Sequence, residues 1–306
     1  MSNTPIPLPR MAAGSPKEGP RFKAVWVIYP VLVLIGIAAV APFLWMALTA
    51  FKDYGDAISL RIWPWPPFGD SVPQTGNFEE AIRLQGTDDA TGLPMAVRQL
   101  LNTLLVCTVN VSGILLVAVF AAYAFANLNF PFKNVIFVAV LATLMIPDDL
   151  TLVPRVIMMY RNYLNWFNSY LALTVPFWMS AFAIFLLRQF FMQIPKDLFD
   201  AALIDGAGHI RYLFTVVIPL SLPAIVTVAL LEFIWTWNEF KWNNLVTQDL
   251  NMRNISVGLQ GFLTGEGGTQ VQLAMAMALL VVLPVIVLYL FTQRFFTQGI
   301  TTTGIK

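Results

Sequence analysis

From Leu273 to Phe291 the chain carries no charged residue and no polar face. A helix that is apolar all round cannot sit on the surface of a soluble domain, and about 20 such residues match the hydrocarbon thickness of a bilayer. Comparable runs occur at 24–49 and at about 100–125, 130–147, 170–187 and 213–237. Pro30, Gly36 and Pro42 interrupt the first, which membrane helices tolerate. The second carries Asn102, Asn110 and Ser112, polar groups suited to hydrogen-bonding a neighbouring helix. The third is shortened by Lys133 and by Asp148 with Asp149, and Pro219 and Pro223 stand near the start of the fifth. The expected fold class is an all-α integral membrane protein with about six transmembrane helices.

Composition agrees. Hydrophobic residues make up 58% of the 306 and charged ones 11%, against roughly 25% charged in soluble domains. The formal net charge is +1, without the basic excess of a nucleic-acid surface, so no nucleic-acid partner is expected. Cys107 is the one cysteine and His209 the one histidine. That excludes a disulfide within the chain and makes a zinc site a poor reading, so no metal is expected. Asp148 and Asp149 read as the edge of the membrane rather than as ligands. The first apolar run is too long for a signal-peptide core, and no small-residue cleavage site clearly follows it, so it is read as a retained membrane helix.

The expected organisation is a disordered cytoplasmic tail at 1–23, the first transmembrane helix at 24–49 and an extracytoplasmic segment at 50–99. A core with five transmembrane helices follows at 100–295, containing a cytoplasmic loop at 189–212, and a cytoplasmic tail closes the chain at 296–306. In the long polar segment, Trp63-Pro64-Trp65-Pro66-Pro67 reads as a stiff extended stretch and Asp88-Asp89-Ala90-Thr91-Gly92 as a turn. An even number of spans puts both termini on one side. Arg10, Lys17, Arg21, Lys23, Lys133, Arg188, Lys196, Arg211, Arg294 and Lys306 fall on that side, more densely than the cations opposite. Both termini are therefore expected in the cytoplasm of a multi-pass membrane protein.

The loop before the fifth span has a character of its own. Pro195 suits a first helical turn, Asp197 and Asp200 favour the positive end of a helix dipole, and Gly206 and Gly208 supply an end. Leu198, Ala201, Ala202 and Asp205 fall on one face at helical spacing. The reading is a short helix of about 10 residues, about 15 Å long, showing small and acidic side chains to something outside the membrane. The competing reading is a helix lying on lipid headgroups, although such helices are usually basic with large apolar residues.

The run Asp200-Ala201-Ala202, then Asp205-Gly206-Ala207 and Ile218-Pro219, resembles the loop of binding-protein-dependent ABC permeases, whose pattern is E-A-A-x-x-x-G. Asp200 stands where Glu is usual, keeping the charge with a reach one methylene shorter. Further motifs are similar to the carbohydrate group, the maltose-type second permease. These are Thr49-Ala50-Phe51-Lys52, Asn102-Thr103, Met145-Ile146-Pro147, Trp235-Thr236-Trp237-Asn238-Glu239-Phe240, and the ending Gln293-Arg294-Phe295-Phe296, Gly299-Ile300-Thr301 and Gly304-Ile305-Lys306. The stretch at 85–94 looks like an insertion.

The resemblance implies a type I ABC importer permease that carries a sugar or sugar derivative delivered by an extracytoplasmic binding protein. It implies a plasma-membrane location and docking of Asp200, Ala201, Ala202, Asp205, Gly206 and Ala207 on an ATPase, with the tail at 299–306 either a further contact or a flexible disordered end. The implied partners are a second homologous permease, two ABC ATPase subunits, the binding protein and the bilayer. No G-x-x-x-x-G-K-[ST] occurs, so ATP and Mg belong to the ATPase, and this chain is expected to bind no cofactor and to have no catalytic residue.

Glu232, inside the fifth span, is a candidate on the substrate path, or a structural carboxylate satisfied by a neighbouring helix. Trp235 and Asn238 suit sugar C–H faces and hydroxyls, or belong to an interfacial aromatic belt. Asn110 is a helix–helix bond or a path contact. His209 supports the helix cap or faces water. The functional alternative is a stand-alone secondary carrier or channel for a small polar solute. Secondary carriers often have paired repeats, and none is visible here. A membrane enzyme would need clustered catalytic groups, which one histidine does not provide.

Overall fold

The computed structural model describes residues 21–59, 61–160, 162–264 and 270–301. Of the tails expected at 1–23 and 296–306, residues 1–20 and 302–306 lie outside the described residues. Two compact units are distinguished, Met1–Trp45 and Met46–Lys306. In the first, helix α1 (Arg21–Ala50, ending in the second unit) runs through Pro30 and Pro42. Its side chains from Trp26 to Leu44 are exposed, as suits a helix whose solvent is lipid.

The second unit opens with α2 (Tyr54–Ile58) and α3 (Gly76–Arg83). They explain the Thr49–Lys52 motif. The Asn77 Nδ2 donates to the carbonyls of Ala50 and Lys52, both at 2.8 Å, and the Lys52 ammonium donates to the Arg61 carbonyl at 2.6 Å. The stretch from Trp63 is not extended. It folds back, with the N–H groups of Phe68 and Gly69 both donating to the Trp65 carbonyl and the Trp63 and Trp65 rings edge-on at 5.0 Å. The residues after the prolines can still donate, and a shared acceptor closes a turn where the prolines alone favour extension. The turn at 88–92 is present. The Gly92 N–H donates to the Asp88 carbonyl at 2.8 Å and the Thr91 hydroxyl to the Asp88 carboxylate at 2.6 Å.

Helix α4 (Met95–Asn127) is unbroken and about 50 Å long. Ala118 and Ala122 on α4 and Ala183 on α8 (Ala181–Phe191) are fully buried, and such small residues let two backbones approach closely. Between α4 and α8 come α5 (Lys133–Ala142), α6 (Asp148–Met159) and α7 (Tyr170–Thr174). The last carbonyls of α4 face two cations. The Arg188 Nε donates to Phe125 O at 3.2 Å and the Lys133 ammonium to Leu128 O at 2.7 Å, as suits a helix C-terminus.

After α8 come α9 (Lys196–Ile204), α10 (His209–Tyr212), a π-helical turn at Leu213–Val217 and α11 (Ile218–Leu220). Then follow α12 (Leu222–Asn238), α13 (Lys241–Val246), α14 (Ile255–Thr264) and α15 (Val271–Thr301). The α15 backbone continues through part of the tail expected from 296.

The helices Trp26–Ala50, Met95–Asn127 and Val271–Gln293 are each long and apolar enough to cross a membrane. Three bent pairs bring the crossings to about six: Lys133–Met145 with Asp148–Met159, Tyr170–Phe177 with Ala181–Phe191, and His209–Leu220 with Leu222–Asn238, bent by 97°, 41° and 78°. The expected third span therefore ends at Pro147, because Ile146 before the proline is extended. The expected fifth span at 213–237 is broken at Ser221. There Pro223 lacks a donor and its ring crowds the carbonyl four residues back, at Pro219.

Candidate functional site

The loop at 189–212 folds as a helix with a defined end. Pro195 precedes α9 rather than joining it, and the Leu198 N–H donates to its carbonyl at 3.2 Å. The C-terminus is a Schellman motif: the Ala207 N–H donates to Ala202 O at 2.8 Å and the Gly206 N–H to Leu203 O at 3.0 Å. This geometry needs a left-handed residue after the cap, and Gly206 supplies it at φ +75°.

The six loop residues divide by environment. Asp200, Ala201, Asp205 and Gly206 are exposed. Ala207 is buried, and Ala202 is half-buried against the core formed by α4, α8 and α12. The single face expected of Leu198, Ala201, Ala202 and Asp205 is thus split, because Ile194, Phe199 and Ala202 hold the helix to that core. Ile204 is 88% exposed and Ile210 62%, so apolar side chains also point outward beside the acids.

Beneath α9 lies an aromatic cluster. His209 stacks on Phe199, with centroids 5.0 Å apart and planes at 19°, and its Nδ1 is hydrogen-bonded to the Tyr123 hydroxyl of α4 at 2.9 Å. Tyr212 meets Phe199 edge-on at 5.0 Å and Tyr123 at 6.5 Å. His209 is therefore a tie between helices as well as a neighbour of the cap.

About halfway along α4 a narrow cleft is lined by Asn110, Phe177, Trp235, Thr236, Glu239 and Asn243, with Val106 and Leu173. Asn110 is buried. Its Nδ2 donates to the Leu173 carbonyl at 3.1 Å, while its Oδ1 is buried without a protein partner. Trp235 is 65% exposed. The structure thus brings Asn110 and Trp235 together. Glu232 lies away from the cleft lining and accepts from the Ser180 hydroxyl at the start of α8, at 2.6 Å. The exposed Asn238 donates to Ile234 O on its own helix at 2.8 Å.

Asn243 and Phe177 carry no signal in the sequence, and Glu239 stands there only as part of the Trp235–Phe240 motif. Glu239 lies just past α12, which ends at Asn238, and its backbone is extended. Its Oε1 accepts from the Trp242 N–H at 2.8 Å. Arg155 was not foreseen either. It pairs with Asp148 at 2.5 Å and lies 5.3 Å from the Trp242 ring centroid and 5.9 Å from that of Phe177. Asp149 pairs with Lys241 at 2.8 Å, tying α6 to α13. Hydrogen bonding to Asp149 raises the Lys241 ammonium above the ordinary lysine range. Among the described residues, no three of His, Cys, Asp and Glu gather to hold a metal ion.

The unit thus combines helices long enough to cross a membrane with a capped short helix at one end of α4 and a narrow cleft near its middle. The chain belongs to the family of binding-protein-dependent transport system inner membrane components, whose pattern it matches over residues 114–302. It is similar to the sn-glycerol-3-phosphate transport system permease protein UgpE of Pectobacterium atrosepticum, at 36% identity over 202 residues, covering 66% of this chain and 71% of the relative. The UgpE protein of Salmonella typhi matches at the same identity and coverage. In fold it resembles a chain of a bacterial ABC transporter involved in the import of the acidic polysaccharide alginate. The TM-score is 0.76 at 20% identity, over 92% of this chain and all of that one. A complex of a bacterial alginate ABC transporter with its pentasaccharide-bound periplasmic protein gives a TM-score of 0.54 at 17% identity, over 92% of this chain and 98% of that one. The protein is a multi-pass inner-membrane permease.

Proposed function

We propose that the chain is one of two membrane subunits of an ATP-driven importer for a sugar or sugar derivative, and that a separate ATPase drives it through α9. The observation that carries this reading is α9 itself. Its outward side shows Asp200, Ala201, Ile204 and Asp205, its inward side is held by Phe199 and Ala202, and a Schellman motif ends it. A lipid-surface helix would pair a basic face with large apolar side chains, whereas α9 carries three acids in or just after it and one lysine.

ATP and Mg act on the ATPase, and nucleotide shifts the permease between inward-open and outward-open states by binding one better than the other. A second homologous permease and an extracytoplasmic binding protein complete the assembly. The α9 end then faces the cytoplasm together with both termini. Lys133, Arg188, Lys196 and Arg211 fall toward that end, in keeping with the positive-inside rule. The solute class rests on the relatives named for glycerol phosphate and on the fold shared with alginate importers.

The test is purification of the tagged chain in mild detergent from its own host, followed by reconstitution with whatever co-purifies. An ABC-type ATPase, a second permease and ATP-dependent uptake of a sugar or sugar derivative are expected. Recovery of the chain alone, even after cross-linking, would return a stand-alone carrier or channel to the lead.

A further inference from the structure

Two physical routes lead from α9 into the membrane core. The covalent one passes through α10, the π-helical turn Leu213–Val217 and the 78° bend at Ser221 before reaching α12. Such joints absorb displacement, because π-turns and proline breaks replace the regular hydrogen-bond ladder. The other route is a contact. His209 lies just past the Gly206 turn, stacks on Phe199 of α9 and is hydrogen-bonded to Tyr123. Tyr123 is buried near the end of α4, a helix with no internal break. About 20 Å further along the same helix sits Asn110, in the lining of the cleft.

We propose that the Tyr123–His209 hydrogen bond, backed by the Phe199 ring, is the rigid joint that passes a displacement of α9 to α4 and so to the cleft. Both are positioning residues: neither touches the solute, and each acts through the other. The proposal rests on the reading of α9 as the ATPase contact. The stack makes His209 move with α9. The hydrogen bond converts that movement into a push or pull along α4, which is stiff against axial load. Without the bond, α9 keeps the jointed connection to α12, the short turn 192–195 to α8 and the apolar packing of Ile194, Phe199 and Ala202, which holds it to the core without a directional tie to α4.

The experiment is a double-mutant cycle in the reconstituted complex, reading ATP hydrolysed per solute carried. Tyr123→Phe removes the hydroxyl and keeps the ring. His209→Phe keeps the stack and removes the nitrogen. Each is expected to raise the ratio by about fivefold, on the scale of one net hydrogen bond, with complex assembly unchanged. The double variant is expected to be no worse than the more affected single one, because both remove the same bond. His209→Asn, which offers an acceptor near the position of Nδ1, is expected to recover part of the ratio, and His209→Leu, which has no hydrogen-bonding atom, replaces His209→Phe if that variant fails to assemble. Unchanged ratios in the single variants, or effects that multiply in the double, would overturn the joint. A wild-type chain that recruits no ATPase fails earlier and refutes the α9 reading itself.

Discussion

Replacing Gly206 separates what the chain does to itself from what a partner does to it. The residue sits at φ +75°, and a Cβ built there meets nothing within 4 Å. Gly206→Ala therefore carries only the backbone cost of a left-handed residue, about 1–2 kcal/mol. That is a factor of about 5–30 in the population of the closed turn. Gly206→Asn costs less, since asparagine visits this region more readily. Gly206→Trp carries the same backbone cost as alanine, and its Cβ likewise meets nothing within 4 Å. The purified chain should thus show similar thermal midpoints for the alanine and tryptophan variants. In the assembled importer only Gly206→Trp should abolish coupled uptake at equal membrane abundance, because the ring would occupy the partner's place. Equal uptake per ATP by both variants would refute the claim that this turn faces a docked subunit. A tryptophan variant much less stable than alanine in the isolated chain would refute the steric half of the reasoning.

Other outcomes follow from the packing. A Cβ on Gly113 would run into the Trp178 indole, so Gly113→Ala should destabilise the purified chain by about 1–3 kcal/mol, read as a lower thermal midpoint. Asn77→Ala leaves the carbonyls of Ala50 and Lys52 without the amide that serves both, a loss of about 1–3 kcal/mol that limited proteolysis of the 51–75 segment would report. The Thr91 hydroxyl holds the Asp88 carboxyl below the usual carboxylate range. A depressed folded pKa adds stability above the unfolded value and loses it as pH falls through the folded one. Pepsin cleavage within 84–94 should therefore rise as the pH drops below the ordinary aspartate range, and Asp88→Ala should remove that dependence. Cys107 is fully buried, so a maleimide should label the folded chain in detergent only after denaturation.

The spans were legible because an apolar run of bilayer length leaves the chain few choices, and the end of α9 was legible because Gly206 follows a short amphipathic stretch. Proline was a poorer guide. Pro30, Pro42 and Pro284 lie inside continuous helices, whereas Pro147 and the Pro219–Pro223 pair mark bends of 97° and 78°. The difference lies in what flanks them. Pro147 is followed by two acids that start a new helix, and Pro219 and Pro223 remove donors on successive turns of one face. The single histidine was readable as a neighbour of the cap, but its bond to Tyr123 joins residues 86 apart in sequence, a distance no local pattern spans. Arg155 escaped for a similar reason, since only the bend at Pro147 brings α6 against Phe177 and Trp242.

The central claim is that α9 is where an ATPase grips this permease. Because Cys107 is buried, a cysteine placed at exposed Ala201 is an addressable thiol, and one placed at Phe68 in the 51–75 segment serves as a control. Thiol cross-linking in native membranes, followed by mass spectrometry, is predicted to join the Ala201→Cys chain to an ABC-type ATPase, with a yield that changes when ATP is added, and to leave the Phe68→Cys chain without that partner. An Ala201→Cys chain that labels readily with a maleimide yet captures no ATPase in either nucleotide condition would contradict the account.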